Sequence, residues 1–195
     1  MSQVAIADVW GRLVKEFEEM GGPYIRTYSG IKFTIFNPKP EMIIIEDIAH
    51  ALSQLCRYGG HCSPFYSVAR HSIIASYLVE EKYALDALCH DFSEAYVIDL
   101  PRPIKQQIPE YTKLEDKIYL SIAQKYNLSF PIPPAVHKID RDMIGYEWDY
   151  FMEKKPKPEL LDFYKKYFLN STPEETKNEF LARFHYLMSN KPVVV

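Results

Sequence analysis

His90 and Asp91 stand side by side in the run Leu88-Cys89-His90-Asp91-Phe92-Ser93-Glu94-Ala95, with Glu94 four residues after the imidazole and three after the carboxylate. The run is apolar before the pair and free of Gly and Pro, so it reads as helix. An ionised carboxylate set deep among helices needs something cationic to offset its desolvation. At a bend or edge of a helix face, adjacent imidazole and carboxylate groups can both reach one metal ion, and Glu94 then overhangs the same spot. A lone His-Asp pair is as readily accidental; His71 and Asp140 shift the balance. Each of those two has a plain structural alternative. His71 borders apolar Val68, Ile74 and Ala75, where a satisfied core histidine also fits, and Asp140 borders Val136, Ile139 and Ile144. On a helix Asp142 points roughly 200° away from Asp140, so the two acids do not easily face one ion.

Two imidazoles and two carboxylates make a borderline-soft, oxygen-rich donor set. It suits Zn, Mn, Fe, Co or Ni, and Mg less well. With His71, His90, Asp91 and Asp140 as ligands, open positions would remain for water and a phosphate oxygen. Glu94 or Asp99 would then accept a proton or orient the nucleophile. The chain has no H-E-x-x-H, P-loop or G-x-G-x-x-G, and no G-x-S-x-G elbow, which removes the usual peptidase, kinase-like, dinucleotide and serine-hydrolase readings.

The elements that must position these residues are mostly helical. The 195 residues carry 47% hydrophobic residues and a net charge of -3, ordinary for one globular domain and no reason to expect a nucleic-acid polymer as partner. The expectation is a single domain over residues 1–195. Three cysteines, 56, 62 and 89, lack C-x-x-C spacing and read as free thiols in a reducing compartment. No apolar run is long enough to cross a membrane, and residues 1–10 do not resemble a secretory signal. A loose helical stripe, Val9, Leu13, Phe17 and Met20, ends at Gly21-Gly22-Pro23. Residues 24–36 read as two short strands around Ser29-Gly30. Helices are then expected over residues 45–58, 67–81, 83–96, 113–126, 134–152 and 159–168. Pro101, Pro103 and Pro109 leave little chance of helix before Lys105. The last helix has a clear start in Thr172, Pro173 and Glu175.

The order His71, His90-Asp91, Asp140 resembles the H…HD…D signature of the HD-domain phosphohydrolase superfamily. Arg70-His71-Ser72, His90-Asp91-Phe92-Ser93-Glu94 and Asp99-Leu100-Pro101-Arg102-Pro103-Ile104-Lys105 are similar to the branch containing the 5'-deoxynucleotidases. That branch usually has glutamate before the first metal histidine, where this chain has Arg70. Asp47-Ile48-Ala49-His50-Ala51-Leu52-Ser53, then Arg57-Tyr58-Gly59-Gly60-His61, resembles the compact phage enzymes that destroy dATP. The resemblance covers roughly residues 24–150. It implies an all-α fold, a compact HD-domain helical bundle with its metal between helices and a small N-terminal β-hairpin. It implies hydrolysis of dATP to deoxyadenosine and triphosphate, with activity on dADP or dAMP, in the cytoplasm (the host's, if phage-encoded). The alternatives are a 5'-deoxynucleotidase releasing phosphate from dNMPs and a nonhydrolytic nucleotide sensor.

On the substrate side, Arg57 is matched to a phosphate-contacting arginine of the nucleotidase branch, with a surface salt bridge as the alternative. Lys105 sits on a proline-stiffened segment and is placed to meet the distal phosphates of a triphosphate. Tyr58 is the candidate to stack on the base, with an ordinary core tyrosine as the alternative. His61, after two glycines, guides phosphate or bonds the loop. His50, His137 and His185 are read as structural or non-catalytic. Phe163, Tyr164, Tyr167, Phe168, Phe180, Phe184 and Tyr186 supply either internal packing or a surface for the homo-oligomer that related small enzymes form.

Overall fold

The computed structural model describes residues 3–19, 22–168 and 170–191. Met20 and Gly21, the expected end of the first stripe, and the side chain of Val9 lie outside the described set, as do Met1 and Ser2 of the leader reading. The protein is all-α with one small β-hairpin. In chain order the helices are α1 (Gln3–Glu19), α2 (Ile45–Gln54), α3 (Val68–Leu78), α4 (Ala84–Cys89), α5 (Glu94–Val97) and α6 (Arg102–Lys105), followed by α7 (Pro109–Tyr126), α8 (Pro134–Glu147), α9 (Leu161–Tyr167) and α10 (Pro173–Ser189). Strands β1 (Tyr24–Arg26) and β2 (Lys32–Thr34) pair antiparallel, with Ile25 opposite Phe33. Asp47 on α2 holds the hairpin turn by accepting from the backbone N and the Oγ of Ser29, at 2.6 and 2.8 Å.

α3 is buried on every side from Val68 to Ser76. It gives Val68, Ala69 and Ile73 to one apolar cluster and Ile74 and Ala75 to a second. The first cluster takes Ile45, Ile48, Ala49 and Leu52 from α2, the i, i+3, i+4, i+7 face of an amphipathic helix, and Phe180, Phe184 and Leu187 from α10. The second takes Val136 and Met143 from α8, together with Phe151, Tyr164 and Phe168. α4 also feeds both, Leu88 to the first and Ala87 to the second. The two helices that serve both clusters therefore carry His71 and lead into His90. Most of the C-terminal aromatics are spent inside: Tyr164, Phe168, Phe180 and Phe184 are buried, while Tyr186 is exposed.

Several boundaries differ from the sequence expectation, among them α3, which ends at Leu78, and α7, which starts at Pro109. The helix expected to run to residue 58 stops at Gln54, because the chain turns extended at Leu55 and pairs Cys56 with Ser67. The helix expected over residues 83–96 is interrupted at residues 90–93, where Phe92 and Glu94 donate three residues back, to Cys89 and Asp91. A short helix does form before Lys105, because Pro103 falls in the first turn, where no backbone donor is needed.

The expected start of α10 is present as a full capping box. Thr172 accepts from the Glu175 backbone and Glu175 reaches back to the Thr172 backbone. Thr172→Ala removes that cap and is expected to cost about 1 kcal/mol, read as a lowered urea midpoint with an unchanged slope.

Candidate metal centre

His90 and Asp91 lie in the tight turn that follows α4. There the Asp91 Oδ2 lies 3.2 Å from His90 Nε2. α3 brings His71, fully buried, to the same point, with its Nε2 3.3 Å from His90 Nε2. α8 brings Asp140, whose Oδ1 lies 3.2 Å from His71 Nε2 and 3.8 Å from His90 Nε2.

The outer nitrogen of each imidazole has a fixed partner. His71 Nδ1 donates to Glu147 Oε1 at 2.6 Å, and His90 Nδ1 donates to the Ala87 carbonyl at 2.7 Å. In the neutral rings those bonds select the tautomer whose Nε2 lone pair faces inward. Two Nε2 atoms and the Asp140 carboxylate converge with Asp91 beside them, an arrangement that calls for positive charge, supplied by ring protons or by a metal ion. Atoms bound about 2.1 Å from one ion stand roughly 3.0–3.4 Å apart, close to the separations here. His71, His90 and Asp140 each bring one donor atom within 4.8 Å of the others, so these three residues can hold a metal ion. Asp91 stands outside that mutually close trio. Its Oδ2 is 3.8 Å from His71 Nε2 and 3.7 Å from the Arg57 guanidinium, which draws it aside.

Glu147 is the residue that the sequence reading missed. It is completely buried, and each of its oxygens accepts two hydrogen bonds. Oε1 takes His71 Nδ1 and the Tyr66 hydroxyl (2.9 Å), and Oε2 takes Arg57 Nε (3.1 Å) and the Tyr58 hydroxyl (2.8 Å). A signal for it existed. Asp140, Met143 and Glu147 follow i, i+3, i+7 spacing on one face of α8. Burial alone would push the Glu147 pKa up, but Arg57 and His71 outweigh it and hold the value at about 2. Burial and Arg57 likewise oppose a proton on His71, yet Glu147 and Asp140 lift its pKa to about 9. Asp140 is held well below the carboxylate range, against the effect of burial, by hydrogen bonds from His71 and His90.

A cavity of about 370 Å3 opens from His90, Asp91 and Asp140. Glu94 and Lys105 line it, and Lys105 is clamped to Glu115 at 2.6–2.7 Å. Glu94 is buried, with Oε2 lacking a hydrogen-bond partner among the described residues. Asp99 lies within electrostatic reach of Arg57 and Asp91. Arg57 stands behind the centre, bonded to Glu147. The Tyr58 ring is edge-on to Trp148, 6.1 Å between centroids, and does not border this cavity. His61 is exposed in the following loop. His50 stacks on Tyr28 at 3.9 Å. Cys56 and Cys62 are free thiols 3.4 Å apart, across the loop that carries Arg57 and Tyr58. Phe130, Tyr119 and His137 also line the cavity, and no sequence expectation placed them there. No helix of the described residues is long and apolar enough to cross a membrane.

No family model matches the chain. A stretch of 124 residues is 41% identical to the uncharacterized protein YfdR of Escherichia coli, spanning 64% of this chain and 70% of that protein. The chain belongs to the YfdR family. A stretch of 123 residues is 31% identical to an uncharacterized protein of Rhodobacter capsulatus, spanning 58% of this chain and 63% of that protein. With both relatives uncharacterized, the functional reading of this family member rests on the geometry.

Two outcomes follow from the Glu147–His71 pair. Glu147→Gln keeps the shape and removes the charge, and is expected to weaken metal binding about 10–100-fold, read by equilibrium dialysis with circular dichroism to verify the fold. Metal must also displace the proton that His71 holds below pH of about 9. Apparent affinity should therefore rise with pH, by roughly tenfold per unit from this group, and level off above that value. Calorimetry in buffers of different ionisation enthalpy should show proton release below it and none from His71 above it.

Proposed function

We propose that the chain is a metal-dependent phosphohydrolase of the HD-domain type, acting on deoxynucleotides. The observation that carries this reading is the convergence of His71, His90 and Asp140 donor atoms, with Asp91 beside them, next to a cavity of about 370 Å3 that His90, Asp91 and Asp140 line, within the size range of small-ligand sites. A divalent transition metal (Zn, Co or Mn, with Ni, Fe or Mg also accommodated) supplies Lewis acidity toward a phosphate oxygen. Asp91, which now faces Arg57, would be the fourth ligand in this reading.

The protein's own groups handle the proton. Burial, reinforced by Asp91 and Asp99, pushes the Glu94 pKa well above the usual carboxylate range. In this reading Glu94 is the acid on the cavity wall, and its proton goes to the leaving ester oxygen. Water oxygen bonds to phosphorus, the ester bond breaks, and a proton from that water restores Glu94. Burial also raises the Asp99 pKa, though Arg57 opposes it. Asp99 lies close enough to Glu94 to add to the upward shift of its pKa.

Cavity charge favours one substrate class in this reading. Asp91, Glu115, Asp116 and Asp140 line the space, and among the described residues Lys105 is its one lysine or arginine. Lys105 is paired with Glu115 and Arg57 with Glu147, so neither cation assigned to phosphates is free. A cleft dominated by one sign disfavours ligands of that sign, and a triphosphate suffers more than a monophosphate. Release of orthophosphate from dNMPs is therefore preferred over the release of triphosphate from dATP that the Asp47-to-His61 segment suggested.

Metal-loaded protein should be incubated separately with dAMP, dADP, dATP, ATP and the other dNMPs, with nucleoside and phosphate products both resolved. Deoxynucleoside plus orthophosphate from dNMPs is expected, with turnover lost in His71→Ala and Asp140→Ala. Glu94→Gln should lower kcat about 100-fold or more while retaining metal. Triphosphate from dATP would reverse the substrate order. Absence of turnover with every metal would overturn the hydrolase reading.

A further inference from the structure

The cavity lining also holds an apolar stretch that phosphate chemistry leaves unused. There the segment joining α7 to α8 presents Phe130, Pro131 and Ile132, with Tyr119 of α7 beside them. The rings of Phe130 and Tyr119 are 6.4 Å apart and tilted by 34°. Phe130 is 49% exposed, although phenylalanine is among the side chains most often buried. Tyr119 is the reverse case. It is 3% exposed, yet its hydroxyl has no hydrogen-bond partner among the described residues. A buried polar atom without a partner needs explaining, and this one belongs to a side chain on the cavity wall. The wall is stiff, because Pro131, Pro133 and Pro134 limit its backbone, so little ordering would oppose binding.

We propose that this wall binds a planar heteroaromatic ring, the base of the nucleotide whose phosphate meets the metal centre. The inference rests on the nucleotide reading above and adds where the base sits. The open face of Phe130 stacks on the ring, an interaction available to any base. The Tyr119 hydroxyl, buried and without a partner among the described residues, comes within reach of a polar atom on the ring edge only if its side chain shifts on binding. Tyr58, the aromatic that the sequence singled out for this task, has its hydroxyl on Glu147 and does not border the cavity.

The test compares metal-loaded wild type, Phe130→Ala and Tyr119→Phe. Each is titrated with deoxyadenosine, dAMP and inorganic phosphate by calorimetry, and metal content and phosphate release from dAMP are recorded. Phe130 is half exposed and Tyr119→Phe keeps its shape, so both variants should fold. Phe130→Ala is expected to weaken deoxyadenosine and dAMP about tenfold or more, and Tyr119→Phe by a smaller factor. Phosphate affinity and metal content should stay at wild-type values. Unchanged dAMP binding in both variants overturns the proposal and leaves the hydrolase reading standing. Equal loss for phosphate and dAMP overturns it too, by showing a merely structural wall, as does a wild type that does not bind deoxyadenosine. Nucleotide binding that Phe130→Ala weakens, in a protein that releases no phosphate, supports the ring site and removes the hydrolase reading instead.

Discussion

The Glu147 carboxylate is the constraint on which the rest of the site depends. A fully buried ion costs several kcal/mol in lost hydration unless charge and hydrogen bonds offset it. Glu147 meets that requirement with four donors from three parts of the chain: Arg57 and Tyr58 in one loop, Tyr66 at the loop's end and His71 on α3. Each donor is fixed in turn. Arg57 is aligned with Asp91, Tyr58 is held at a positive φ of 57°, and the His71 tautomer is selected. Because Asp140 lies two turns earlier on the same helix, the bond that orients His71 also sets the depth and rotation at which α8 delivers its own metal-directed carboxylate.

The cores explain how α3 can carry such a load. A helix buried on every side normally holds apolar residues, but α3 includes Arg70, His71, Ser72 and Ser76. Arg70 is answered by Ser171 and Glu179, and Ser76 by Arg183 of α10. Apolar clusters on both flanks limit rocking of α3 and α4 relative to each other, which keeps the two inward-facing Nε2 atoms close. Backbone strain gathers nearby. Ile98, a β-branched residue, sits at φ 67°, and the Tyr111 hydroxyl donates to the carbonyls of Val97 and Ile98. Such strain persists where surrounding contacts impose it and collects at functional sites; here it lies one residue before Asp99.

The cavity lining is rich in carboxylates, and Lys105 and Arg57 act first as counterions inside the protein. Phosphate binding in the proposed reaction therefore depends on the metal's charge more than on free cationic side chains. Phe130, Pro131 and Ile132 in the same lining suit a less charged part of the ligand. A phosphate ester that carries a ring matches that mixture.

The sequence by itself determined the helical class, the hairpin, the cap of α10 and the residue types of the metal cluster. These rest on local regularities: hydrophobic periodicity, proline and glycine positions, and His and Asp in a spacing suited to coordination. Only the tertiary structure decided that residues 90–93 form a turn, because the bend reflects packing of α4 between two cores and no breaker residue marks it. Tertiary structure also took Arg57 and Tyr58 from expected ligand contacts to Glu147, ninety and eighty-nine residues away. Periodicity could place Asp140 and Glu147 on one face, but a buried carboxylate recruits whichever donors packing brings near it. Its partners are therefore set by the fold as a whole.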